Sequence, residues 1–107
     1  MSQNVLSKVI LDSAFRIHSA LGPGLLEHVY EVILAYELRK RSLEVARQVP
    51  IPIVYDGLEF EEGYRADLIV ERSIIVELKS VEALLPVHWK QLFTQPKLKD
   101  FRLGLFD

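Results

Sequence analysis

Between residues 4 and 21, Leu6, Val9, Ile10, Ile17 and Leu21 fall near one helical face, with Ser13 as a small interruption. Asn4 or Ser2 is placed to cap the start of that helix. Gly22-Pro23-Gly24 ends it, because glycine accepts a left-handed cap and proline cannot continue the helix. A second helix is predicted over residues 25–41. Its apolar residues (Leu26, Val29, Tyr30, Ile33, Leu34, Tyr36 and Leu38) spread around most of the circumference, a distribution that predicts cover on more than one side. Arg39-Lys40-Arg41 closes it, with positive charge where the helix dipole favours it.

The period then changes to two. Over residues 44–54, Val45, Val49, Ile51 and Ile53 alternate with polar residues or proline, the pattern of a half-buried strand. Pro50 and Pro52 mark it as an edge, since proline cannot donate to a ladder. Asp56-Gly57 predicts a hairpin turn, residues 58–62 the return strand, and Gly63 a bend.

Residues 64–80, YRADLIVERSIIVELKS, form the stretch around which the rest is organised. They read as two apolar strands interrupted by three charges, Asp67, Glu77 and Lys79. A buried carboxylate without a partner is expensive, so these positions face either water or a site. A three-residue loop, Glu71-Arg72-Ser73, pairs Val70 with Ile74, Ile69 with Ile75 and Asp67 with Glu77. That register sets all three charges on one face and an unbroken apolar set, including Ala66, Leu68 and Val70, on the other. A two-residue turn would separate the acids. Beyond Ser80 the reading gives a short loop, then a crossover helix from Pro86 or His88 to about Lys99 that Pro96 kinks or ends, and a final strand over residues 102–106. The predicted fold class is thus α/β of the α+β type: two N-terminal helices, a three-strand antiparallel meander, a crossover helix and a last strand.

Composition narrows the class without naming a function. At 107 residues, half of them hydrophobic, the chain makes one domain with a real core. No apolar run approaches the roughly 20 residues that span a bilayer, so no membrane partner is expected. The N-terminus lacks the basic start and apolar block of a signal peptide, and there are no cysteines, so the default compartment is a reducing cytoplasm. A formal net charge of −2 does not advertise a general nucleic-acid binder, though it leaves local patches open. The apolar second helix and the proline-bearing edge would allow a homodimer without requiring one.

Two carboxylates opposed on neighbouring strands repel each other. Lys79 relieves part of that, and a divalent cation would relieve most. Asp67 and Glu77 can therefore hold Mg²⁺, which takes a few protein oxygens and keeps several waters. Lys79, two residues from Glu77 on the same face, is placed to orient an attacking water or hold developing negative charge. This is what metal-dependent phosphodiester hydrolysis needs. The competing reading is a solvated strand face with a salt-bridged pair. No metal-binding histidine spacing and no phosphate-cradling glycine loop occurs.

The segment Gly24-Leu25-Leu26-Glu27-His28-Val29-Tyr30 resembles the signature of the GxxExxY protein family. Tyr64-Arg65-Ala66-Asp67-Leu68, Val76-Glu77-Leu78-Lys79-Ser80, and His88 with Gln91-Leu92 continue the resemblance in order over most of the chain. That family looks like a compact branch of the PD-(D/E)XK nuclease superfamily. The resemblance implies a restriction-endonuclease-like core, a mixed central sheet flanked by helices, with residues 1–107 as a single nuclease-like domain. It implies Mg²⁺ or Mn²⁺ as cofactor and a nucleic-acid substrate, DNA ahead of RNA. Asp67 and Glu77 resemble the metal-binding acids, Lys79 the lysine of the motif, and Glu27 a supplementary acid borne on a helix. Tyr30 would pack beside Glu27, Gln91 would contact the lysine or the nucleic acid, and His88 would touch a phosphate.

The pattern is broken in two places. Gln95, followed by Pro96, stands where the family carries a tyrosine on a continuous helix. The chain stops at Asp107, short of where relatives carry the final strand, so the domain is expected to be short at its C-terminus. A catalytically decayed member that binds nucleic acid or protein is the alternative to an active nuclease.

Overall fold

The computed structural model describes residues 1–22, 24–81, 88–91 and 99–106, with side chains up to residue 78. Helix α1 spans Gln3–Leu21, and the Ser2 hydroxyl caps it by accepting the Val5 amide at 3.2 Å. Leu6, Ile10, Ala14 and Ile17 form its buried face. Ser7 and Ser13 are buried with them, and each hydroxyl donates to a carbonyl of the same helix, Asn4 at 2.9 Å and Val9 at 2.8 Å. That pairing is why two polar side chains fit an apolar face at little cost. Gly22, at φ 77°, ends the helix and donates its amide to the His18 carbonyl.

Helix α2 spans Glu27–Lys40. It buries Tyr30, Leu34, Ala35 and Leu38 but leaves Val29, Val32 and Tyr36 exposed. Among the described residues it is covered by α1 on one side and by the sheet on another, as its apolar pattern predicts, with some apolar surface to spare. Part of the surplus is occupied locally, with the Lys40 ammonium 5.2 Å from the centre of the Tyr36 ring.

Tyr30 joins the two helices by donating its hydroxyl to the Ala14 carbonyl. Burial pushes its pKa up to about 12, with the His18 backbone offsetting part of the rise. The folded state therefore holds this proton more tightly than the unfolded chain, whose tyrosine titrates near 10. The associated stability is complete below about pH 10 and is lost as pH rises through about 12. Tyr30→Phe should be less stable than the parent at about pH 9, and the gap should narrow by about 1 kcal/mol at about pH 11 in paired urea titrations.

The sheet comprises β1 (Val45–Tyr55), β2 (Leu58–Val70), β3 (Ile74–Val81), β4 (His88–Gln91) and β5 (Lys99–Phe106), in the spatial order β1-β2-β3-β5-β4. The first three strands form the antiparallel meander, and β1, with its two prolines, is an edge. Asp56 and Gly57 turn the first hairpin at φ 47° and 80°, the two left-handed positions of a tight two-residue loop. β5 runs parallel to β3.

The last third departs from expectation. His88–Gln91 is a strand antiparallel to β5, not the start of a crossover helix, and β5 begins at Lys99, three residues before the predicted final strand. Four residues are too few for periodicity to separate helix from strand, and the open edge of β5 supplies the ladder partners. The rest of that predicted helix, with Gln95 and Pro96, lies outside the described residues.

Gly63 sits at a register change. Ile51 faces Tyr64 but Ile53 faces Phe60, so two steps along β1 meet four along β2. A Cβ at Gly63 would lie 2.3 Å from Ile53 Cγ1 and 2.6 Å from its Cβ. Gly63→Ala should therefore displace Ile53 and cost about 1–3 kcal/mol in chemical denaturation.

Both helices pack on one face of the sheet. Leu6, Ile10, Ile17, Leu34 and Leu38 meet Val45, Leu68, Val70, Ile74, Val76 and Leu78 in one core. A smaller cluster holds Ile51, Ala66 and Ile75, with Val49, Tyr64 and Ile69 against it. Among the described residues no helix is long and apolar enough to cross a membrane.

Candidate active site

The second hairpin turns through residues 71–73, and Val70 pairs with Ile74, Ile69 with Ile75 and Leu68 with Val76. That is the register which the three-residue loop requires. Glu71 and Arg72 take left-handed φ values of 52° and 51°, and Ser73 closes the turn on the Val70 carbonyl at 3.0 Å. The loop is tied to the start of β1: the Glu71 carboxylate accepts the Glu44 amide at 2.8 Å, and Arg72 donates to the Glu44 carboxylate at 3.0 Å.

At the next position, Asp67, the carboxylate rather than the main chain meets β3. Asp67 Oδ2 accepts the Leu78 amide at 2.7 Å. A backbone donor on a carboxylate is a strong bond, and it fixes the side chain against the strand that carries Glu77.

The facing of this stretch also differs from expectation. Leu68 and Val70 lie in the helix-covered core, but Ala66 belongs to the second cluster with Ile75. Asp67 meanwhile borders a hollow with Glu27, His28 and Glu31 of α2. The alternation therefore reverses between Asp67 and Leu68, and the apolar set is not unbroken on one face. On the neighbouring strand, Gln48 takes φ 52°, and the ladder passes from Arg47 with Leu68 to Val49 with Ala66. The register itself is the same on both sides of Gln48, so the change of facing occurs without a slip. Simple alternation contains no such change.

Two adjoining hollows result. One, of about 290 Å³, is lined by Glu27, Tyr64, Arg65, Asp67, Glu77 and Leu78. The other, of about 200 Å³, is lined by Glu27, His28, Glu31, Gln48, Asp67 and Leu78. The fold thus brings Glu27, from the first turn of α2, to Asp67 on β2 and Glu77 on β3. Sequence separation hides that meeting, because α2 and β2 touch only through the sheet packing.

The other expected site residues are placed differently. Tyr30 is buried between the helices, with its hydroxyl on Ala14. The Lys79 backbone continues β3 opposite Gly104, and its side chain lies outside the described residues. His88 pairs with Arg102, which pairs with Glu77, so His88 stands two strands from Glu77 at the same level. Gln91 is level with Ile74 through Lys99, three residues along β3 from Glu77. The side chains of His88 and Gln91 also lie outside the described residues.

Glu31 is the residue that the sequence reading passes over. Its side chain is only 4% exposed, yet it is charged and fully engaged. Arg47 donates to Oε2 through Nε at 3.0 Å and Nη2 at 2.9 Å, and the Gln48 amide donates to Oε1 at 2.6 Å. The signal was the four-residue spacing from Glu27, which sets both acids on one face of the helix.

The donor set suits a hard divalent cation. All three converging groups are carboxylates, and Mg²⁺ needs only one or two of them beside its waters. Asp67 already has one oxygen fixed by the Leu78 amide, as ligating carboxylates commonly have. Among the described residues no three acids or histidines close into a ligand shell, so the carboxylates border a shared hollow rather than a finished cage.

Residues 4–106 match the family model described as the PD-(D/E)XK nuclease superfamily. No curated protein and no solved structure matches the chain.

Proposed function

From the premise that the chain belongs to the PD-(D/E)XK nuclease superfamily, we propose that it is a metal-dependent nuclease of the GxxExxY branch that hydrolyses phosphodiester bonds, in DNA rather than RNA. The observation that carries this reading is the shared hollow of Glu27, Asp67 and Glu77, with the Asp67 carboxylate anchored on the Leu78 amide. Asp67 and Glu77 would hold Mg²⁺ or Mn²⁺, with Glu27 as the supplementary acid. A bound divalent cation supplies Lewis acidity, which makes water more acidic and stabilises negative charge on phosphoryl oxygens.

The chain's own residues do the rest. The Leu78 amide holds Asp67 in one orientation. Lys79, two residues from Glu77 along β3, orients the attacking water or stabilises charge developing on the phosphate. Glu27 is presented from the first turn of α2.

The test is cleavage of end-labelled DNA with and without Mg²⁺, comparing the parent with Asp67→Ala and Lys79→Ala. Metal-stimulated cleavage lost in both variants supports the reading. Equal cleavage by all three proteins overturns it. The Gln95-Pro96 sequence favours one second reading, a catalytically silent member that binds nucleic acid. That reading predicts binding that survives Asp67→Ala, with no cleavage stimulated by metal.

A further inference from the structure

Glu31 is nearly excluded from solvent and borders only the smaller hollow, beside Asp67 and Glu27, with both its oxygens already taken up by Arg47 and Gln48. A buried carboxylate is costly unless its partners are well placed. Here Arg47 and Gln48 fill both oxygens. The arrangement would be an ordinary helix-to-strand tie but for Gln48. Its φ of 52° is a left-handed conformation that is strained for a glutamine, and it falls inside a strand. It also falls where the β1–β2 ladder passes Asp67 and where the facing of β2 reverses. The strained residue, the reversal and the candidate metal-binding acid are one local event, and the Glu31 carboxylate holds the strained residue by its side chain.

We propose that Glu31 is a positioning residue: by holding the Gln48 side chain it keeps β1 in its left-handed kink opposite Asp67, and so aims the Asp67 carboxylate at the Leu78 amide and the hollow that it shares with Glu27 and Glu77. The bond from Gln48 to Glu31, at 2.6 Å, supplies the restraint. Arg47 neutralises the charge that the restraint requires inside the fold. Glu31 and Glu27 are one turn apart on α2, so the same contact fixes the helix that presents Glu27. The consequence for metal binding rests on the site reading above, whereas the consequence for Asp67 does not.

Gln48 is exposed, so substitutions there test the idea without opening the core. Glycine adopts φ 52° without strain, whereas alanine neither does so nor offers Glu31 an amide. Two readouts are needed. The first is hydrogen exchange of the Leu78 amide by NMR in the metal-free protein, which reports the Asp67 bond directly. The second is Mn²⁺ binding by electron paramagnetic resonance.

Gln48→Ala should speed Leu78 exchange about 10-fold relative to amides elsewhere in β3 and weaken Mn²⁺ binding by roughly 10-fold, as loss of an outer support does. Gln48→Gly should keep both within about 2-fold of the parent, and adding it to Glu31→Gln should restore Leu78 protection that Glu31→Gln alone loses. A purely structural Glu31 would not be rescued by a backbone change on β1. Equal Leu78 exchange in the parent and Gln48→Ala, or no rescue by glycine, overturns the proposal. A parent that binds no Mn²⁺ defeats the nuclease reading instead, while Leu78 exchange still decides the role of Glu31.

Discussion

Asp67→Asn should reduce Mg²⁺-dependent DNA cleavage by on the order of 10²–10³-fold while leaving the protein folded. The substitution is nearly isosteric. It keeps an oxygen that can accept the Leu78 amide, the bond that measures 2.7 Å in the parent, and removes only the charge. Asp67→Ala removes both. It leaves the part-buried Leu78 amide without its acceptor, which should cost about 1–3 kcal/mol in urea unfolding beyond the loss of cleavage. The pair of variants separates the chemistry of the carboxylate from its part in joining β2 to β3. A neutral asparagine that cleaves as fast as the parent would remove Asp67 from the reaction.

The largest stability effect is expected from Leu34→Ala. Leu34 is fully buried on α2, in the core that joins both helices to β2 and β3. Truncating a leucine at such a site leaves a cavity and costs about 2–5 kcal/mol. Small domains are stable by only about 5–15 kcal/mol, so the urea midpoint should fall sharply. Val32, two residues earlier on the same helix, is 41% exposed, and Val32→Ala should change stability by no more than about 0.5 kcal/mol. The contrast tests whether the Val32 side of α2 is uncovered. If the two substitutions cost the same, the exposed apolar side of α2 is covered in solution.

Local patterns carried much of the fold. The helical spacing of Leu6, Ile10 and Ile17 and the stop at Gly22 gave α1 to within a residue. Asp56-Gly57 gave the first hairpin, because few other pairs accept two left-handed residues in succession. Gly63 marked the register change, since only a missing side chain leaves room for Ile53. The loop length fixed the second hairpin, as the pairing of Val70 with Ile74 depends only on counting residues across the turn. Where the signal weakened, the reading erred. His88–Gln91 is too short to show a period, and its strand exists because β5 offers an edge.

The candidate site divides along the same line. Asp67 and Glu77 stand out as candidates because acids that interrupt apolar strands at this spacing point to chemistry, whereas Glu27 stands out only through its resemblance to the family signature. Convergence was not legible. That Glu27 on α2 shares a hollow with Asp67 and Glu77 depends on how the helix lies across the sheet, an outcome of packing some forty residues of intervening chain. Nor could strand alternation show that Asp67 turns toward α2. That orientation follows from a left-handed glutamine on the neighbouring strand, held by a glutamate buried on a helix. The sequence by itself determined which acids are candidates for a site, because their identities and local spacing are written in the chain. Only the tertiary structure decided where they point, because orientation here is set by contacts between residues far apart in sequence.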